Sequence, residues 1–111
     1  MEKLINQSDV NYFLSEIKQI FPNFIAGVLC DRHGFTIASK IPQNFHIQEN
    51  ILALSAISNK KDFIEENGYL KVKRVLDKSK DIKLFLLLEK SYKSITCFKK
   101  LKKLIETQGL F

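Results

Sequence analysis

A chain of 111 residues with 45% hydrophobic and 27% charged residues has the composition of one globular domain spanning residues 1–111. No apolar run approaches the roughly 20 residues of a membrane span, and the N-terminus lacks the apolar core of a signal peptide. The sequence therefore predicts a cytoplasmic protein. The net charge of +6 lies in the second half: residues 1–59 hold four Lys/Arg against five Asp/Glu, whereas residues 60–111 hold fourteen against seven. Such asymmetry admits an anionic partner, although scattered lysines also keep small proteins soluble.

The first predicted element is an amphipathic helix. Ser8 or Asp9 is a suitable N-cap, because either side chain can accept a hydrogen bond from the free N–H groups of a first turn. Apolar residues then recur at helical spacing from Val10 to Phe21. Pro22 disfavours helical geometry at the preceding residue and ends the helix.

A strand hairpin is predicted next. Phe24 to Cys30 is almost continuously apolar, which indicates a strand covered on both faces. Asp31 favours the start of a turn and Gly34 can adopt positive φ, so we expect a return strand over Phe35 to Ser39. A central hairpin with helices on both faces predicts an α/β (α+β) fold of three α/β/α layers.

Strand geometry also assigns the side chains of the first strand to two faces. Alternation places Phe24 and Ala26 on one face and Ile25 and Leu29 on the other.

A long second helix is predicted from Phe45 to Asn67, with Asn44 as N-cap and Gly68 after its end. One apolar stripe would cover the sheet, and a second stripe containing small residues would meet another helix. The alternatives are a wide face buried within one monomer, or a helix broken at Asn59. The candidate partner interface consists of the following residues: Asn50, Ala53, Ala56, Ile57, Lys60 and Ile64.

Two strands and a helix complete the chain. Residues Tyr69 to Leu76 alternate in polarity and predict an edge strand, followed by a turn over Asp77 to Asp81. The apolar run Ile82 to Leu88 predicts a central strand. The last helix should run from Ile95 to about Ile105, ending before Gly109. Its outer side carries a candidate patch for an anionic partner: Lys99, Lys100, Lys102 and Lys103.

Sequence motifs for catalysis and for cofactors are missing. The chain has no phosphate-binding loop and no serine nucleophile elbow. His33 and His46 lie in or beside loops without a neighbouring Cys or His, which favours solvated side chains over metal ligands or a general base. Cys30 and Cys97 lack C-x-x-C spacing, which favours buried free thiols over zinc ligands. We therefore expect no catalytic residue, no cofactor and no metal.

The hairpin carries a family resemblance. The segment FPNFIAGVLCDRHGFTIAS (residues 21–39) resembles the first hairpin of the Roadblock (dynein light chain) family. In that hairpin a "G-V-L" strand precedes a turn containing Asp and then Gly. The apolar strand and Lys/Leu helix over Ile82 to Ile105 are similar to the family's last strand and third helix. Roadblock domains usually have five strands, three of them between the second and third helices, whereas only two are clear here.

The resemblance implies a non-catalytic scaffold. Roadblock proteins form homodimers or heterodimers, commonly through the second helix and a neighbouring edge strand, and they bind or regulate small Ras-like GTPases. The implied partners are a second copy or another Roadblock protein, together with a small GTPase. The competing hypothesis is a small basic protein that binds nucleic acid or an anionic membrane through the last helix. A longin- or profilin-like relative would share the layered shape, but the helix-first order argues against longin.

Overall fold

The computed structural model describes residues 6–58, 69–79, 81–90 and 95–110. This part of the chain contains three helices and a four-stranded antiparallel sheet, an α+β arrangement. The elements, in chain order, are α1 (Gln7–Ile20), β1 (Phe24–Asp31), β2 (Thr36–Lys40), α2 (Glu49–Ile57), β3 (Tyr69–Val75), β4 (Ile82–Glu89) and α3 (Ile95–Thr107).

Helix α1 begins two or three residues earlier than its sequence suggests. The Asn6 side-chain oxygen accepts hydrogen bonds from the backbone N–H of Ser8 at 2.9 Å and of Asp9 at 3.4 Å. Asn6 is therefore the N-cap, and the prediction of Ser8 or Asp9 is wrong because both already lie in the first turn. The predicted end is confirmed: Phe21, before Pro22, has left helical geometry with φ −105° and ψ 108°.

The sheet has the strand order β2-β1-β4-β3. Strands β1 and β4 lie at its centre and carry the longest buried runs, as their apolar sequences predict. Strand β3 is the last strand among those described, which confirms its predicted edge position. The β1–β2 hairpin is not central as a unit, because β2 lies at the opposite edge and only Ala38 in its middle is buried.

Two hydrophobic clusters on opposite faces of the sheet give the molecule its layers. Helices α1 and α3 pack on one face, where the fully buried Leu14, Ile17 and Leu101 meet Leu84 and Leu86. Helix α2 packs on the other face with Val28, Phe85 and other residues of β1 and β4. The predicted α+β class is thus confirmed, and helices cover both faces of the sheet in the described part of the chain.

A β-bulge changes the faces of the first residues of β1. The register against β4 shifts between Phe24 and Ala26. As a result Phe24 packs in the same cluster as Leu29, whereas Ile25 and Ala26 both pack in the α2 cluster. The strict alternation predicted from sequence is therefore wrong at this end of the strand, because a bulge inserts one extra residue into the pleat.

Helix α2 is shorter than predicted. Asn44, the predicted N-cap, has φ 59° in a turn, and the helix starts after Gln48. The first four residues assigned to the helix, from Phe45, are not helical, although Phe45 and Ile47 pack against α2's cluster. At the other end Ser58 is extended, with φ −80° and ψ 132°. The remainder of the predicted helix, Asn59 to Asn67, lies outside the described residues, as does any fifth strand there.

The β3–β4 connection is closed by a side chain. One carboxylate oxygen of Asp77 accepts hydrogen bonds from the backbone N–H groups of Asp81 at 2.9 Å and Ile82 at 3.0 Å. These bonds hold the predicted turn, and they place β4 antiparallel to β3. Among the described helices, none is both long and apolar enough to cross a membrane.

Candidate functional site

The inner face of α2 contains two residues assigned to the partner interface. Ala53 is 0% exposed and Ala56 is 6% exposed, and both pack against β1 and β4. Their small side chains let α2 approach the sheet rather than a second helix. Within the single chain both side chains are covered by the sheet, as in the alternative of one wide buried face, and their assignment to a partner interface stays a prediction. Lys60 and Ile64 lie outside the described residues.

The outer face of α2, defined here as Asn50, Leu54 and Ile57, is where the helix meets solvent. Asn50 is exposed, and Leu54 and Ile57 are half-buried. These residues follow one another at i, i+4 and i+7, so they form one stripe. After Glu49 in the first turn, α2 contains no charged residue. A helix that only covers a sheet normally carries a polar outer stripe, which α2 lacks.

The β1–β2 turn lies next to this outer face. One Asp31 carboxylate oxygen accepts from the backbone N–H of His33 at 2.9 Å and of Phe35 at 3.0 Å. The Gly34 N–H donates to the Asp31 carbonyl at 3.1 Å, and Gly34 has φ 87°. The turn that the sequence predicts is confirmed, with glycine in the left-handed region where other residues are strained.

Gly34 gives α2 room to pack against the turn. A Cβ built on Gly34 would lie 3.2 Å from Ile57 Cδ1 and 3.6 Å from Leu54 Cδ2. The outer face of α2 thus extends directly onto the hairpin. Phe35, the next residue, is 70% exposed, which is unusual for so large an apolar side chain.

Polar contacts hold both ends of α2 in place. The Ser39 hydroxyl donates to the Glu49 carboxylate at 2.5 Å, which links the start of the helix to β2. The Lys73 ammonium donates to the Ser58 carbonyl at 2.8 Å, which links the end of the helix to β3. A carboxylate in the first turn and a cation beyond the last turn both complement the helix dipole. The outer face is therefore presented by a helix fixed at both ends.

The two cysteines differ in reactivity. Cys30 is fully buried, and its thiol donates to the Ala53 carbonyl at 3.6 Å. Burial, together with the neighbouring Asp31 carboxylate, raises the pKa of Cys30 to about 11, while Lys83 acts in the opposite direction. Cys30 consequently stays protonated near neutral pH and joins β1 to α2 rather than acting as a nucleophile. Cys97 is half-buried on α3.

The predicted lysine patch is exposed along α3. Lys99, Lys100, Lys102 and Lys103 all reach solvent, and only Lys102 has a nearby carboxylate, Glu106 at 4.0 Å, among the ion pairs of the described residues. Lys99 and Lys102 border β3, and Lys100 and Lys103 lie outside that border.

The histidines do not form a site within the described chain. His33 and His46 are both exposed, and His46 stacks on Tyr69 with ring centroids 6.2 Å apart. In the same part of the molecule no three His, Cys, Asp or Glu residues lie close enough together to hold a metal ion.

No protein-family model, no characterised protein and no solved structure matches this chain. The surfaces of the molecule are therefore the basis for a functional proposal.

Sequence reasoning missed three residues that shape these surfaces. Leu54 is not among the predicted interface residues, and Phe35 is expected in a covered strand, yet Leu54 lies beside the β1–β2 turn and Phe35 is 70% exposed. Arg74 shares an alternating face with Leu70, Val72 and Leu76, and an arginine on an otherwise apolar face was the available signal. In the structure the Arg74 guanidinium carbon lies 6.0 Å from the centroid of the Phe98 ring.

Proposed function

We propose that this protein is a non-catalytic dimerisation and scaffold module that binds or regulates a small Ras-like GTPase through a dimer built on α2. The resemblance of residues 21–39 to the Roadblock hairpin supports this function. So does the order of the helices and strands around the sheet, with α2 as the one helix on its face among the described residues. No residue of the described chain is assigned a catalytic role in this proposal.

The observation that carries the proposal is the apolar outer face of α2. Leu54 and Ile57 remain partly exposed on a helix that carries no charge beyond its first turn. In a dimer with a two-fold axis, the outer face of α2 in one chain would pack against the same face of the second chain, which is an isologous interface. A stable interface of this kind buries roughly 1,200–2,000 Å² in total.

The interface assigned from sequence is revised accordingly. Asn50 and Ile57 stay in the proposed interface, and Leu54 replaces Ala53 and Ala56, which the sheet already covers. The partner is a second copy of this chain or another Roadblock protein.

Light scattering coupled to gel filtration tests the dimer. At tens of micromolar we expect a mass of twice the chain's 12.9 kDa. Asn50→Arg combined with Leu54→Arg should return the mass to that of one chain, because two cations would face their copies across the axis. Asn11→Arg, an exposed change on α1 across the sheet, is the matched control. A wild-type mass of one chain would contradict self-association, and an unchanged mass of the double variant would exclude this face.

The GTPase is tested by affinity capture from the host with immobilised wild-type protein and the Asn50→Arg/Leu54→Arg variant. We expect mass spectrometry to identify a Ras-like GTPase with the wild type, in amounts that depend on added GDP or a GTP analogue. The variant should capture less of it. Equal capture by both proteins, or no GTPase with either, would contradict this part of the proposal.

A second candidate function is binding of nucleic acid or an anionic membrane, favoured by the four exposed lysines of α3. It predicts association with DNA, RNA or phosphatidylserine vesicles that weakens steeply with salt. Lys99→Glu combined with Lys103→Glu should abolish that association. Absence of binding at low salt would eliminate this candidate without affecting the dimer.

A further inference from the structure

A groove of about 570 Å³ runs between the end of β3 and helix α3. Its volume is within the range of small-molecule sites in proteins. It is lined by Arg74, Val75, Phe98, Lys99, Lys102, Ile105 and Glu106. The groove lies on the face of the sheet opposite α2, so it is independent of the proposed dimer surface.

The floor of the groove is apolar and fixed. Phe98 packs edge-to-face on the fully buried Phe21 with ring centroids 5.4 Å apart, which locks its ring in place. Ile105 packs against the same hydrophobic cluster, and Val75 is 44% exposed at the rim. An apolar ligand would therefore cover Val75 and part of Phe98 without moving the core.

The rim of the groove is cationic. Three of its lining residues carry positive charge and one carries negative charge, which gives a net charge of +2. Glu106 is already close to Lys102, at 4.0 Å, and both side chains are well exposed. Arg74 donates to the backbone carbonyl of Lys73 at 2.7 Å, and none of the ion pairs in the described chain involves Arg74 or Lys99. Two cations of the rim therefore lack a carboxylate partner within the described chain.

The charges are also arranged along the groove. Arg74 lies over the Phe98 ring, and Lys99 is the next residue of α3, so the unpaired cations mark one end. Ile105 and Glu106 lie about 10 Å further along the helix, two turns away. An anionic head group would be attracted at the Phe98 end and repelled by Glu106 at the other. The groove thus favours one orientation of a ligand with an anionic head and an apolar tail.

We propose that this groove is a binding site for a small amphipathic carboxylate, with the head group at Arg74 and Lys99 and the aliphatic chain lying over Phe98, Val75 and Ile105. The proposal differs from the second candidate function, which needs all four lysines of α3. Here Lys100 and Lys103 take no part, because they do not line the groove.

The test is a titration of ¹⁵N-labelled protein followed by amide chemical shifts, with octanoate, octan-1-ol and octylammonium as probes of one chain length. We expect octanoate to shift the amides of Arg74, Val75 and the residues around Phe98, with saturation. Octan-1-ol should bind more weakly, and octylammonium more weakly still. A separate experiment measures co-sedimentation of the protein with phosphatidylserine vesicles. If octanoate competes with this co-sedimentation, a lipid is one source of the carboxylate.

Matched variants separate the groove from general lysine electrostatics. Arg74→Gln and Lys99→Gln should each weaken octanoate binding roughly 2- to 5-fold, the effect of one partly exposed charge pair. Lys100→Gln combined with Lys103→Gln removes two positive charges from α3 outside the groove, more than either groove variant, and should leave the affinity unchanged. All these positions are exposed, and the dispersion of the amide spectrum checks the fold.

Three results would overturn the proposal: no saturable shift with octanoate, shifts confined to another surface, or equal affinity for octanoate and octan-1-ol. If the groove variants and the control pair lose equal affinity for octanoate, net charge alone explains the binding and the proposal is likewise overturned. None of these outcomes depends on whether the protein dimerises through α2.

Discussion

Gly34→Ala probes the contact between the hairpin turn and the proposed interface helix. Gly34 has φ 87°, a left-handed conformation that costs an L-residue roughly 1–2 kcal/mol. The new Cβ would also lie 3.2 Å from Ile57 Cδ1, so Ile57 would have to move by a few tenths of an ångström. Alanine lowers the conformational entropy of the unfolded chain, which by itself would stabilise the protein by about 0.4–1 kcal/mol. At a position with positive φ the strain in the folded state is larger than this gain. We expect a net loss of about 1–2 kcal/mol in the free energy of unfolding.

Urea denaturation followed by far-ultraviolet circular dichroism measures this loss. The midpoint should fall without a change in slope, since the surface exposed on unfolding is the same. In a thermal scan the melting temperature should fall by roughly 5–10 °C. All samples are compared at one protein concentration, because association would make stability concentration-dependent.

Two further glycine substitutions separate the effect of the positive φ from the effect of the contact with Ile57. Gly34→Asn carries the same Cβ but tolerates the left-handed region, so it should lose less stability than Gly34→Ala. Gly109→Ala is the control, because no atom lies within 4 Å of its added Cβ and its φ is not positive. Wild-type stability for Gly34→Ala, or an equal loss for Gly109→Ala, would refute the reasoning. Equal losses for the Ala and Asn variants would assign the effect to packing against Ile57.

Three other predictions follow from the helix cap and the buried groups. Asn6→Ala should lower the free energy of unfolding by about 1 kcal/mol in urea denaturation, whereas Ser8→Ala should change it by less than about 0.5 kcal/mol. Ala53→Arg should lower it by about 3–5 kcal/mol or more and abolish the helical signal at 37 °C, while Asn50→Arg leaves the fold intact. Cys30 should resist Ellman's reagent at pH 8 far longer than Cys97. Because folding raises the Cys30 pKa from 9.0 to about 11, the stability linked to its protonated form is complete below pH 9 and is lost as pH rises towards 11. The stability of Cys30→Ala should not show this loss between pH 9 and 11. The three predictions would be contradicted, respectively, by an Asn6→Ala variant as stable as wild type, by a folded Ala53→Arg variant and by rapid labelling of Cys30.

The central part of the fold could be predicted from sequence because burial leaves a strong signal there. The uninterrupted apolar runs of β1 and β4 belong to strands covered on both faces, and the structure places them side by side. Gly34 permits the positive φ that the turn needs, and Pro22 disfavours helical geometry at the residue before it. Local chemistry and tertiary packing agree at these positions.

The remainder depends on contacts that no pattern contains. Ile47 has helical spacing with Ile51 and Leu54, yet Ile47 is buried and Phe45 is partly buried from a loop, so periodicity overestimated the length of α2. Small residues such as Ala53 permit close approach of any neighbour, and only the structure shows that the neighbour is the sheet. The β-bulge at Ile25 has no marker in the sequence, since every residue around it is apolar or small. The groove required Arg74 and Phe98 to meet across two elements.

The most direct test of the proposed dimer is an isotope-filtered nuclear Overhauser experiment on an equimolar mixture of ¹³C-labelled and unlabelled chains. We predict contacts between chains that involve the methyl groups of Leu54 and Ile57. Contacts between chains confined to α1 or α3, or none at a concentration where the mass is that of a dimer, would contradict the assignment of the dimer surface to the outer face of α2.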